Sequence, residues 1–262
     1  MKKIRTIILK EWAEVFKNRM VLLTTAFLPL FFTIMPLTMM VATLTAGGPE
    51  IAADMPDQFS AFCPAGLSGV ECFQVFFVTQ FMMLFMILPL IIPVNIAAYS
   101  IVGEKTARSL EPLLATPITT VELLIGKNLA AAVPAVLATW LGFGVYALGV
   151  ALVVRNPVAL GALFDPTWLV GIFIVGPLLA VLSVNFSLMV SSRVNDARVA
   201  EQISALVILP VVGLFVGQMA GVVFVSRALI LAMAAGVLVV DIGLVHLTVR
   251  LFQRETILTR WK

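Results

Sequence analysis

The sequence predicts an all-α integral membrane protein with six transmembrane helices, and three observations carry that prediction. Of 262 residues, 61% are hydrophobic and only 12% are charged, whereas a soluble domain is nearer half apolar and a quarter charged. The mean hydropathy is +1.10, and the apolar residues lie in long uncharged runs of the kind a bilayer core requires. The bases flank these runs, so the net charge of +3 is not a stripe for nucleic acid. No cleavable signal peptide is recognisable, because the first apolar run follows about twenty polar or amphipathic residues and is longer than a signal core.

The N-terminal stretch "MKKIRTIILKEWAEVFKNR" comes first. Ile4, Ile8, Trp12, Val15 and Phe16 share one helical face, with Lys3, Lys10, Glu14 and Lys17 on the other. That pattern predicts a helix over residues 1–20 lying in the membrane interface, with Trp at the boundary.

Six runs then have the length of a span: residues 21–46, 74–102, 128–153, 168–191, 203–225 and 228–250. Little more than Ser226 and Arg227 separates the last two, and one long broken segment is the competing reading. Pro29, Pro36, Pro89, Pro93 and Pro210 should bend their helices. With six spans, fifteen of the 17 Lys and Arg residues fall on one side, leaving Arg155 and Arg227 on the other. The positive-inside rule makes the crowded side cytoplasmic, both termini included.

The external loop 47–73 has no base and four acids, Glu50, Asp54, Asp57 and Glu71. Cys63 and Cys72 lie within it around the turn-rich "PAGLSG". On an oxidising face they could form a structural disulfide worth about 2–3 kcal/mol; two free thiols are the other reading.

The second-to-third connection, "GEKTARSLEPLLATPITTVELLIGK" at residues 103–127, is too elaborate for a connector. Leu110, Leu113, Leu114, Ile118, Val121, Leu124 and Ile125 recur every three or four residues. Ser109 can cap a helix with Pro112 in its first turn. Thr116-Pro117 interrupts. Thr119-x-x-Glu122 then has capping-box spacing for a fresh helix running through Lys127 into the third span. A short helix with leucines on one side and Glu104, Lys105, Arg108 and Glu111 on the other suits a docking surface. An interfacial helix that only anchors the loop fits the same periodicity.

Catalytic and nucleotide-binding motifs are missing. "GEKT" at residues 103–106 lacks the spacing of a phosphate loop, and the single histidine, His246, cannot supply a two-histidine metal site. Within the spans, Asn95, Asn185 and Asp241 lie about 10–15 Å from the cytoplasmic end at 1.5 Å per residue. They read either as a polar layer lining a substrate path or as interhelical glue.

The central motif closely resembles the cytoplasmic signature of type-2 ABC transporter permeases. It has an acid and a base, then "LEPLLATP", then "ELLIGK" leading into the third span. "IILKEWAEVFKNR" resembles the elbow helix of that family, and "RLFQRETILTRWK" its tail. The resemblance implies the type V exporter architecture: an elbow helix over 1–20 and one six-span permease domain over 21–262. A coupling region over 103–127 and a cytoplasmic tail over 251–262 go with it. It implies that Glu104, Lys105, Arg108, Leu110, Glu111, Leu113, Leu114, Thr116 and Pro117 couple the permease to a separate ABC ATP-binding subunit. Two such subunits would bind ATP and magnesium and pair with two permeases, identical or homologous, in a prokaryotic inner membrane. This chain itself would bind no cofactor and no nucleic acid, and would hydrolyse nothing. The coupling helices would tilt the first, second and fifth spans at the dimer interface.

One departure is the short "VGQMAGVVFVSRA" region, where many members carry re-entrant helices. A stand-alone channel or ion-coupled carrier titrating Asp241 is the alternative from another class. A membrane-embedded enzyme is weakened by the missing catalytic groups. The cargo is not legible.

Overall fold

The computed structural model describes residues 2–17, 19–45, 69–106, 118–154 and 157–252. Every regular element among them is helical. In chain order these are α1 (Lys2–Lys17), α2 (Arg19–Thr45), α3 (Gly69–Phe85), α4 (Leu88–Thr106) and α5 (Thr120–Val153), then α6 (Pro157–Leu163), α7 (Pro166–Val170) and α8 (Gly176–Arg193), and last α9 (Ala197–Ser204), α10 (Leu209–Met219) and α11 (Arg227–Leu251). By length and composition, six stretches can cross a membrane: α2, α3–α4, α5, α6–α8, α9–α10 and α11.

The second span is the centre of the bundle. Its window is 78% buried by the rest of the chain, against 22% for the first span, 17% for the fifth and 11% for the sixth. α4 packs against α8, α5, α9 and α2, so four other spans wrap it. Three serines spaced every fourth residue on α8 make that packing close. Ser183 Oγ donates to Leu90 O at 2.6 Å and Ser191 Oγ to Ala98 O at 3.4 Å, with Ser187 buried between them. Small residues at such a seam let two backbones approach, which is what drives helix association in lipid.

The second and fourth spans are both interrupted, and the interruptions face each other. Two turn residues at 86–87 separate α3 from α4, whose second residue is Pro89. Opposite them, Gly171–Val175 is wound as a π-helix. Met86 Sδ lies 3.3 Å from where a Cβ on Gly171 would stand, and Pro89 Cγ 3.7 Å from the same point on Gly176. Trp140 Nε1 donates to Ile172 O at 3.3 Å, giving a wide-turn carbonyl a partner from the third span. Pro89 was expected to bend its helix; the matching irregularity in the fourth span was not foreseen.

The fifth span ends at Met219, six residues earlier than hydropathy suggests. Gly221 has φ +70°, a left-handed conformation that glycine adopts without strain. Its N–H donates to Gln218 O at 3.0 Å, and that of Val222 to Gly217 O at 2.9 Å. These two bonds are a Schellman closure. Ser226 then caps α11, its hydroxyl accepting from Leu229 N at 3.3 Å. The fifth and sixth spans are therefore two helices, and only residues 220–226, none of them helical, join them.

α5, the third span, begins where Thr119 and Glu122 predict. Thr119 Oγ1 accepts from Glu122 N at 3.2 Å, and the Glu122 carboxylate accepts from Thr119 N at 2.9 Å. Thr119→Ala should cost about 0.5–2 kcal/mol, seen as a lower thermal midpoint of the detergent-purified protein. An unchanged midpoint would mean that packing alone sets this helix start.

Cys72 is disulfide-bonded and buried; Cys63 lies outside the described residues, as do most of the external loop and the tail.

Candidate functional site

α1, the C-terminal end of α4 and the first turns of α5 come together around a buried ion cluster. Lys127 Nζ lies 2.8 Å from Glu11 Oε1 and 3.1 Å from Glu104 Oε2. It also donates to Ser100 Oγ at 2.6 Å. An ammonium has three protons to give, and its hydrogen bonds go to Glu11 Oε1, Ser100 Oγ and, at 3.4 Å, Ser100 O, while Glu104 Oε2 is held as an ion pair. The side chains of Lys127, Glu11 and Glu104 are only 1%, 4% and 4% exposed. Lys10 completes the cluster, donating to Glu104 Oε1 at 2.6 Å. Two acids and two bases thus balance in a site with little water.

Local sequence explains how the elbow docks. Gly126 precedes Lys127, and a Cβ there would stand 2.7 Å from Ile7 Cγ2 and 2.9 Å from Ile7 Cβ. The missing side chain is the slot into which the elbow settles. One turn further along, Trp12 Nε1 donates to Ala130 O at 2.9 Å. α1 therefore lies on the third helix through Ile7 and Glu11, the two most buried of its described side chains. Ile4, Ile8, Trp12 and Val15, the expected stripe, are part-buried beside them.

Lys10, expected on the polar face with Lys3, Glu14 and Lys17, is 39% exposed and 3.5 Å from Glu14, and it also reaches inward to Glu104. Burial works against its charge, yet the hydrogen bond with Glu104 and the negative charges of Glu104, Glu11 and Glu14 outweigh that and hold its pKa above the ordinary value. A lysine raised in this way stabilises the fold at lower pH and loses that contribution only as pH climbs through the raised pKa, in the alkaline range.

The other root contact leaves the second span in the opposite direction. Lys105 Nζ donates to Ser191 O at 3.0 Å, Ser192 O at 2.6 Å and Val194 O at 3.2 Å. These are carbonyls at the end of α8, where a helix leaves acceptors unpaired and favours a cation. Thr120 Oγ1 ties the start of the third helix to Phe252 O at 3.3 Å, where the sixth span ends.

Of the nine residues singled out for coupling, Glu104 and Lys105 turn into the bundle. Arg108, Leu110, Glu111, Leu113, Leu114, Thr116 and Pro117 lie outside the described residues. Sequence reasoning missed Glu11, Ser100 and Lys127 as partners. A signal existed: Glu11 sits at the i+7 position of an Ile4-Ile7-Ile8 stripe, where a carboxylate needs a donor from elsewhere in the fold.

Among the described residues, no hydrogen bond joins the three polar residues proposed for a substrate path. Asn185 Oδ1 accepts from Asn128 Nδ2 at 3.1 Å and its own amide donates to Val181 O at 3.0 Å, linking the third and fourth spans. Asn95 is buried on α4. Asp241 is buried on α11, and among the described residues neither carboxylate oxygen has a hydrogen-bond partner.

No curated protein sequence matches the chain significantly. A family model described as ABC-2 family transporter protein matches residues 5–252, from the elbow helix to the end of the sixth span. The chain belongs to that family, as a multi-pass membrane component of transport.

Proposed function

We propose that this chain is the permease subunit of an ABC exporter, whose ATP is bound and hydrolysed by a separate subunit docked on residues 107–117. The observation that carries this is the mounting of that segment. Its two roots, Glu104 and Lys127, are 3.1 Å apart across a buried ion pair, and the elbow helix is clamped to both. A passive connector between two spans does not need such a base. A segment that receives force does, because a displacement applied to it then moves three helices together.

In this reading the base-rich end is cytoplasmic and the membrane is a prokaryotic inner membrane. Two permeases, identical or homologous, face each other with two ATP-binding subunits beneath. The second span is already enclosed by its own chain, whereas the first, fifth and sixth, 22%, 17% and 11% buried, are open to a partner or to lipid; the family resemblance favours the first and fifth for the pairing. The substrate path would run between the two permeases.

The test is a mild-detergent pull-down of the tagged chain from its native membrane, beside a Leu113→Arg variant. A stoichiometric subunit carrying a phosphate loop, captured by the wild type and lost from the variant, is the expected result. An oligomer of this chain alone, transporting without ATP, would sink the proposal. That outcome would favour the carrier reading, for which unpartnered Asp241 is the observation, and Asp241→Asn should then abolish transport.

A further inference from the structure

The most enclosed span has one part-open row. From Phe73 to Phe85, only Phe73, Phe77, Thr79 and Leu84 of α3 are part-buried and the rest are buried. Phe73, Phe77 and Leu84 have the spacing of a single helical face. The rings of Phe73 and Phe77 stack at 5.3 Å, and Phe81 joins them at 4.8 Å from Phe77. Gln80 lies in the middle of that row, three residues after Phe77 and four before Leu84. It is 5% exposed, and neither of its amide atoms has a hydrogen-bond partner among the described residues. Hydroxyls elsewhere in the spans behave otherwise. Thr33, Thr79 and Thr139 each donate to the carbonyl four residues back, on Pro29, Val75 and Ala135. Gln80 makes no such bond, and an unpaired amide is costly in hydrocarbon.

A second amide comes from the fifth span. α10 packs against α3. Its two buried residues, Val211 and Gln218, are seven apart and share one face, and Gln218 Oε1 is also without a partner among the described residues. Charge is absent from this seam. Glu71 is the one charged residue of the two helices, and at nine positions before Gln80 it lies on the opposite side of α3.

We propose that this row and the amides of Gln80 and Gln218 bind an uncharged amphiphile. Its apolar body lies along Phe73, Phe77 and Leu84, and its hydroxyl or amide group pairs with Gln80. A glutamine amide has two donors and an accepting oxygen, which suits a group that both gives and takes hydrogen bonds. It has nothing to neutralise a carboxylate or an ammonium taken out of water. The proposal rests on the function given above only in making this molecule the cargo; the binding itself stands on the row and its unpaired amides.

The experiment uses the full chain with the subunits it captures, in discs of phosphatidylcholine bilayer. Three photoreactive probes share one alkyl chain with a diazirine near the head, and the head is a hydroxyl, a carboxylate or a trimethylammonium. The alcohol should label residues 69–85 saturably, and the two charged probes about tenfold more weakly, as the loss of a hydrogen-bonded contact would give. Val239 and Ile242, exposed on α11, report the background from bulk lipid, which should not saturate. Gln80→Leu should cut the saturable labelling about tenfold, and Gln80→Glu should transfer it to the trimethylammonium probe. Gln80→Met, of nearly equal length, replaces the leucine variant if the latter does not fold.

Equal labelling by the three heads, no saturable labelling, or labelling unchanged in Gln80→Leu would overturn the proposal. So would separation of paired permeases in Gln80→Leu, read by native mass spectrometry, which would make the amide a contact between copies. Failure of the wild type to capture any ATP-binding subunit is a different result. It defeats the function proposed above, while saturable labelling by the alcohol would still support the site.

Discussion

Lys127→Met is expected to destabilise the permease by about 3–5 kcal/mol, the cost of leaving buried charges without their partner. Glu11 and Glu104 are each 4% exposed and both lie within 3.1 Å of the lysine. Lys10 reaches only one of them closely, at 2.6 Å from Glu104 against 3.9 Å from Glu11. Removing all the fully buried charges is a different matter. Glu11→Leu, Glu104→Leu and Lys127→Met together should leave stability unchanged or raise it by about 1–4 kcal/mol, because desolvation of the ions is no longer needed. Lys10 is part-exposed and can return to water. Thermal unfolding in detergent separates these cases. If the single variant melts like the wild type, water reaches the cluster and the buried-charge account fails. If the triple variant is stable but no longer supports transport, the ions are there for movement and not for holding the fold.

Gly126→Val should be the other large effect, at about 1–3 kcal/mol for overpacking a tight contact. The neighbour it meets is Ile7, a β-branched side chain with little rotamer freedom, at 2.7 Å and 2.9 Å. The clash cannot be relieved at the tip of a flexible chain, so the elbow must lift. Glu11, one turn along α1, lifts with it and lengthens its 2.8 Å bond to Lys127. Protease digestion under native conditions should then cut within residues 2–17 in the variant and spare them in the wild type. Ile7→Ala in the same background removes the obstructing atoms and should restore protection. Equal digestion of variant and wild type would show that the slot is not what seats the elbow.

Much of the fold was legible because hydropathy and capping chemistry are local. Six apolar stretches and the capping box at Thr119 and Glu122 follow from composition and short-range spacing, whereas the division of the last two spans was left open between two helices and one broken segment. The ion cluster was less visible because a helical wheel sends every charge to solvent. On α1 the wheel centred the buried face on Ile4, Ile8 and Trp12, whereas the docked face is centred on Ile7 and Glu11. The glycine slot at residue 126 sets that rotation, more than a hundred residues away, and no window of α1 contains it. Proline announced the break in the second span, but nothing in "GIFIV" announces a π-turn in the fourth. That irregularity lies against the second span's break, a contact between segments far apart in sequence. The end of the fifth span turned on Gly221, which hydropathy averages over and which a search for closure motifs would have found.

The same cluster also orders the assembly of the chain. Glu11 and Lys127 are 116 positions apart, and the elbow is synthesised first. Until residue 127 has been made and inserted, the two acids have one part-exposed lysine between them and the elbow has no surface to lie on. A nascent chain cut short before the third span therefore carries two carboxylates with only Lys10 to neutralise them. A completed third span removes that imbalance in one step, which makes the ion cluster a built-in mark of a finished N-terminal half.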